Sequence, residues 1–205
     1  MNAKHIVSFF AAALLSVSAS ATVILQDNFD SEAGAVGNSS LNYNSFANWS
    51  VSNGTVDVVS NGDYGISCAG GSGKCVDLDG STNNAGVLTS NLLSLAAGSY
   101  TFSFDISGNQ RNYSNDSMVM TLGGFLNESF SLASSDPWKT KTYNFTVASA
   151  TSNNITFNHD GWDNVGILLD NVSLKMTSQV PEPSALILLG LGLLGLGLAR
   201  RKATK

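Results

Sequence analysis

The middle of the chain alternates apolar and polar residues. Between Ser99 and Ser107, Tyr100, Phe102, Phe104 and Ile106 fall on one side, and Thr101, Ser103 and Asp105 on the other. A period of two with one apolar face predicts a strand half-buried against a core. Gly98 precedes it and Gly108-Asn109 follow it, residue types suited to turns. Tyr143, Phe145 and Val147 repeat the pattern among Thr142, Asn144 and Thr146. Further strands are predicted at 23–29, 48–51, 55–59, 76–79, 118–122, 129–132, 155–158 and 165–174. No apolar period of 3.6 is sustained from Thr22 to Lys175. Short strands joined by polar turns predict an all-β fold, a single β-sandwich of the jelly-roll kind.

Both ends break this pattern. Lys4 is followed by an apolar run from Ile6 to Val17 and by Ser18-Ala19-Ser20-Ala21. A basic start, an apolar stretch and a small-residue Ala-x-Ala site predict a signal peptide over 1–21, cut after Ala21. The sandwich domain is then assigned to 22–178 and a C-terminal segment to 179–205. That segment reads Pro181-Glu182-Pro183, an uncharged Leu/Gly-rich run from Ala185 to Ala199, then Arg200-Arg201-Lys202. The run has no polar face, so a transmembrane helix is expected. At 1.5 Å per residue it reaches about 22 Å, short of a ~30 Å hydrocarbon core unless flanking bases snorkel. The basic tail places the C-terminus in the cytoplasm and the domain outside it.

Composition narrows the function. Charged residues make up only 12% of the chain, which suits a turn-rich sandwich better than helices. Between the two end segments the only bases are Lys74, Arg111, Lys139, Lys141 and Lys175, against all of the chain's acids but Glu182. The domain is acidic with no basic stripe, so nucleic acid is excluded as a partner. Cys68 and Cys75 flank a Gly-rich stretch. In an exported protein they predict a local disulfide that adds modest stability.

The tripeptide Pro181-Glu182-Pro183, the apolar span and the Arg-Arg-Lys end, in that order behind an N-terminal signal, resemble the PEP-CTERM sorting signal of Gram-negative bacteria. The resemblance implies processing by a membrane exosortase. The protein would be held in the inner membrane with its domain in the periplasm, then sorted to the outer envelope or the extracellular matrix. It also implies association with exopolysaccharide and biofilm.

The domain itself resembles the galactose-binding-like jelly roll of carbohydrate-binding modules and of the DUF642 group of cell-wall proteins. The stretches that carry this are Phe29-Asp30, Cys75-Val76-Asp77-Leu78-Asp79-Gly80-Ser81, 98–109 and Leu168-Leu169-Asp170-Asn171-Val172-Ser173-Leu174. In those modules a structural Ca²⁺ commonly ties the first strand to the last. Carried over, its ligands are Asp30 and Asp170. Asp170 shares a parity with Leu168, Val172 and Leu174, which predicts a carboxylate facing apolar residues and in need of a partner. Asp77 and Asp79 read as a strand-end turn.

Aromatic rings beside Asn, Asp or Gln suit a sugar-binding face. Trp138, Trp162 and Tyr113 lie in such polar stretches and are the candidate ligand-binding residues; packing at the sandwich ends is the competing role. Trp49 is assigned to the core. Catalytic residues are not expected: His159 is the one histidine between the two end segments, and no nucleophile or zinc motif surrounds it. The resulting expectation is a non-catalytic, exosortase-sorted envelope or matrix protein. A dedicated carbohydrate-binding module is the alternative, and a secreted hydrolase a third reading.

Overall fold

The longest alternating run becomes an inner strand of one of two main stacked sheets. The computed structural model describes residues 21–35, 37–161 and 163–179. The signal peptide, the Pro181-Glu182-Pro183 tripeptide, the expected membrane helix and Trp162 fall outside them. Thirteen strands occur among the described residues: β1 (Thr22–Asp27), β2 (Trp49–Ser52), β3 (Asp57–Ser60), β4 (Lys74–Asp77), β5 (Val87–Ser90), β6 (Leu93–Leu95), β7 (Gly98–Ser107), β8 (Asp116–Leu122), β9 (Leu126–Leu132), β10 (Lys139–Val147), β11 (Thr151–Asn153), β12 (Ile155–Asp160) and β13 (Leu168–Gln179). No helix among the described residues is long and apolar enough to cross a membrane.

One main sheet runs β10-β7-β13-β4-β3, with β1 also paired to β13; the second runs β2-β5-β12-β8-β9, and β6 and β11 form a separate two-stranded sheet. The fold is an all-β sandwich. Each sheet sends alternate side chains inward. Tyr100, Phe102, Phe104 and Ile106 of β7 meet Met118, Met120 and Leu122 of β8 and Ile155 and Phe157 of β12, all buried. Phe104 and Phe157 join the sheets edge to face, with ring centroids 5.2 Å apart. Trp49 is buried as expected, and its Nε1 donates to Asp27 Oδ2 at 3.0 Å.

Strands β3 and β4 are buried on both faces. Val58 and Val76 point into the sandwich, whereas Val59, Cys75 and Leu168 form a small second cluster with Ile66 and Cys68 on the outer face. The cover is the loop 61–73, closed by the predicted Cys68–Cys75 disulfide.

The parity assigned to Asp170 is corrected by the register. The β13–β7 pairing shifts between Asp170 and Ser173, and Asn171 adopts φ 50°. A bulge of this kind inserts a residue and flips the facing of the residues beyond it. Val172 and Leu174 therefore face the core, while Asp170 pairs across with Asp105 and is buried on the outer side under the disulfide loop.

Candidate functional site

Three segments far apart in sequence converge at the end of the sandwich where β7 stops and β10 starts. Gly108 N–H donates to the Asp136 carbonyl at 3.0 Å, and Gln110 N–H to the Ser134 carbonyl at 2.9 Å. Asn112 N–H donates to Ser134 Oγ at 2.7 Å. Gln110 and Asn112 hold φ of 58° and 62°, a left-handed setting uncommon for side-chain-bearing residues. Gln110 also clamps the disulfide loop: its Oε1 accepts the Ser67 N–H at 2.9 Å and its Nε2 donates to the Ser67 carbonyl at 3.0 Å. Trp138 Nε1 donates to the same carbonyl at 2.8 Å.

These bonds frame an open groove of about 400 Å³ lined by Ser67, Gln110, Asn112, Ser134, Asp136 and Trp138, with Ser107, Ser135 and Pro137. Trp138 is half-buried: it packs on the second apolar cluster and also lines the groove. Its polar tip is satisfied by protein, so the ring is fixed rather than free to rotate. Tyr113 stands 48% exposed on the same loop without lining the groove, and Arg111 lies 5.9 Å from its ring centroid. The groove thus offers one rigid indole surrounded by amides, hydroxyls and a carboxylate, groups that can donate to and accept from a polyhydroxylated ligand.

The carboxylates expected to hold calcium lie elsewhere. Asp30 Oδ1 accepts the Lys74 N–H and Oδ2 the Asn28 amide, both at 2.7 Å. Asp170 accepts the Asn171 N–H at Oδ1, 2.7 Å, and the Ala69 N–H at Oδ2, 3.2 Å. Burial raises the Asp170 pKa to about 7; its two N–H bonds lower it, and the charges of Asp30 and Asp105 add to the rise. The nearby carbonyls of Glu32 and Gly34 accept from the fully buried Lys74 ammonium. Among the described residues no three His, Cys, Asp or Glu side chains gather as a metal-binding group. The two carboxylates fit the role of hydrogen-bonded anchors for the disulfide loop, and they do not fit a calcium shell, which needs six to eight oxygens.

A third group of acids includes Asp77 and Asp79, expected from the sequence as a strand-end turn. Asp77 caps the β4 turn, accepting the N–H groups of Asp79 at 3.1 Å and Gly166 at 2.8 Å. Asp79 is fully buried with both carboxylate oxygens unpartnered. Desolvation and the Asp163 charge push its pKa to about 7; the Asp163 N–H offsets part of this without reaching hydrogen-bond geometry. His159 faces inward after Ile155 and Phe157, and its Nε2 accepts the Ile167 N–H at 3.1 Å. The neutral ring therefore carries its proton on Nδ1, which is buried and unpartnered. Burial lowers its pKa to about 4.

The chain is similar in fold to the N-terminal CBM22-1–CBM22-2 tandem domain of Paenibacillus barcinonensis Xyn10C, at 14% identity and TM-score 0.50, over 83% of this chain and 49% of that one. It is also similar to the CBM22-1 xylan-binding domain of the same protein (11%, TM-score 0.49, 80% and 100% covered). A third similar structure is TmCBM61 in complex with β-1,4-galactotriose (20%, TM-score 0.48, 63% and 88% covered). The domain is thus a jelly-roll sandwich of the kind found in carbohydrate-binding modules. In the tail, residues 179–202 match the PEP-CTERM protein-sorting motif. No curated protein matches the chain.

Proposed function

We propose that the chain is an exported envelope or matrix protein, sorted through its PEP-CTERM tail by an exosortase, whose non-catalytic sandwich holds glycan in the Trp138 groove. The observation that carries the glycan part is the indole of Trp138, fixed by Ser67 and set in a groove lined by Gln110, Asn112 and Asp136. An indole offers a flat apolar surface to a sugar ring, while the amides and carboxylate meet its hydroxyls. The sorting motif supports export and processing. The non-catalytic reading is supported by His159, which is sealed in the interior and held neutral by burial, and so is poorly placed as a general base.

The test is calorimetric titration of the protein with neutral oligosaccharides of several linkages. Trp138→Ala and, separately, Asn112→Ala are each expected to weaken binding about tenfold. No binding, or binding unaffected by either variant, overturns the glycan reading. Release of shorter sugars during the titration overturns the non-catalytic one. For sorting, intact mass from the native host is compared between wild type and a variant with Ala at 181–183. Loss of the tail in the wild type and its retention in the variant is expected; retention in both overturns exosortase processing.

A further inference from the structure

A second, more enclosed cavity of about 180 Å³ adjoins the groove. Ile66 and Arg111 line it, while their chain neighbours Ser67 and Gln110 line the groove. Its walls include Asp57, Tyr64, Asp77 and Asn164. Asp57 and Asp77 are directly paired across β3 and β4, and both are buried. Like charges directly opposite each other on a sheet are destabilising, more so away from water.

The two carboxylates are differently occupied. Asp57 accepts the N–H groups of Asn42 at 2.6 Å and Ser81 at 3.1 Å through Oδ1, and the Ser81 hydroxyl at 2.7 Å through Oδ2. Among the described residues Asp77 accepts only at Oδ1. Its Oδ2 is left to the cavity, although Asp77 is only 2% exposed. Burial raises the Asp77 pKa well above the ordinary carboxylate value; the N–H bonds from Asp79 and Gly166 lower it, and the charges of Asp57 and Asp79 add to the rise. Arg111 is at the wall with its guanidinium toward the Tyr113 ring. The domain's fully buried cation, Lys74, is spent on the carbonyls of Glu32 and Gly34. The cavity is therefore a partly roofed pocket walled by two facing acids, with an unused acceptor at its base and the 52% exposed Tyr64 at its wall.

A neutral sugar would bring no positive charge to let the buried Asp77 carboxyl ionise. A divalent metal would need a fuller oxygen shell than two carboxylates supply, and no group of three acidic or histidine side chains gathers among the described residues. An ammonium group is compact, carries one positive charge and has three N–H donors, which the Asp77 carboxylate and the Asn164 amide can accept. We propose that this cavity takes the ammonium of an amino sugar, so that the glycan held along the groove contains hexosamine with a free amine. The inference rests on the glycan reading of the Trp138 groove and specifies its substrate class.

The test titrates the full chain with an oligomer of β-linked glucosamine, with its N-acetylated counterpart and with a neutral glucose oligomer. The buffer is near neutral, where the amine is still largely charged and an ammonium beside Asp77 favours its ionised form. The amine form is expected to bind about tenfold or more tighter than the acetylated form. Asp77→Asn keeps the Oδ1 acceptor and removes the charge, so it is expected to abolish that preference while leaving neutral-oligomer affinity unchanged. Tyr64→Ala, on the exposed wall, provides a second variant with little risk to folding and is expected to weaken amine binding. Equal affinity for the two forms in the wild type overturns this inference and leaves the groove reading standing. Failure of all three oligomers overturns both. A preference that survives Asp77→Asn, or Ca²⁺ alone displacing the amine oligomer, overturns the assignment of the cavity to an ammonium.

Discussion

The sheet that contains β7 and β13 is covered on both faces, and the two covers are built differently. Its inner face meets the opposite sheet through alternating strand residues: Phe102 and Phe104 arrive there by parity, as do Leu169 before the β13 bulge and Val172 and Leu174, on the shifted parity, beyond it. Its outer face, over β3 and β4, is covered by one irregular loop. That loop is fastened by the disulfide, by Asp170 accepting the Ala69 N–H, by Asp30 accepting the N–H of Lys74 where the loop enters β4, and by Gln110 and Trp138 gripping Ser67. The first cover is a hydrophobic core in which removal of any large side chain is felt throughout. The second is a set of local ties whose loss releases one loop. Since that loop supplies Ser67 to the groove and Ile66 to the adjoining cavity, the outer cover holds the candidate site and the inner one holds the fold.

The largest effect should come from the inner face. Phe104 is fully buried and packs edge to face on Phe130 and Phe157. Phe104→Ala is expected to lower unfolding free energy by about 3–5 kcal/mol in urea denaturation. A loss below ~1 kcal/mol would mean that the two covers do not differ in the way described.

Next is the disulfide. Replacing Cys68 and Cys75 by Ser is expected to lower stability by roughly 2–2.5 kcal/mol, from the loop-entropy relation for so short a ring. The sandwich should survive with its near-ultraviolet signal largely intact, while oligosaccharide affinity falls because Ser67 is no longer held. Affinity unchanged after this replacement would detach the groove from the loop.

Legibility in the sequence follows the same division. The alternation of β7, β10 and β12 can be read directly because a strand's two faces are local properties. The strands β5, β6 and β11 escape such a reading; β6 and β11, at three residues each, are too short to show a period. The facing of Asp170 is misread from parity alone because a bulge is set by pairing with a neighbouring strand, which no single run of residues displays. Trp138 and Tyr113 can be singled out by their polar neighbours, yet nothing local to Trp138 points to Ser67 as its partner. The burial of Lys74 and the pairing of Asp57 with Asp77 likewise depend on residues brought together from distant parts of the chain.

A smaller effect distinguishes the two covers by pH. The Asp170 carboxyl, under the loop, has its pKa raised by burial to about 7 from an ordinary value near 3.8. The folded chain therefore binds a proton there that the unfolded chain has released, and stability contributed by that proton is lost as pH rises from about 4 to 7. Asp79 and Asp116, raised to about 7 and about 6, act in the same direction. The wild type is expected to melt lower at pH 8 than at pH 5. Asp170→Asn should reduce that difference, and Phe104→Ala should lower both melting points while keeping it. A slope that Asp170→Asn leaves unaltered would place the titrating groups wholly at the Asp77–Asp79 end.

The smallest expected effect is that of calcium. A metal that bound only the folded chain would stabilise it by mass action, and at ~1 mM, far above the dissociation constant of a tight site, the melting point would rise by several degrees. Here the oxygens of Asp30 and Asp170 face N–H donors, and the carbonyls of Glu32 and Gly34 face the Lys74 ammonium. The loop is already tied to the sheet by groups of the chain itself, with a lysine supplying the buried positive charge. Adding Ca²⁺ or EDTA is therefore expected to move the melting point by less than about 1 °C. A rise of several degrees with Ca²⁺, removed by Asp30→Asn, would show that the outer cover is a metal clamp, and the Lys74 ammonium would then have to leave its carbonyls to admit the ion.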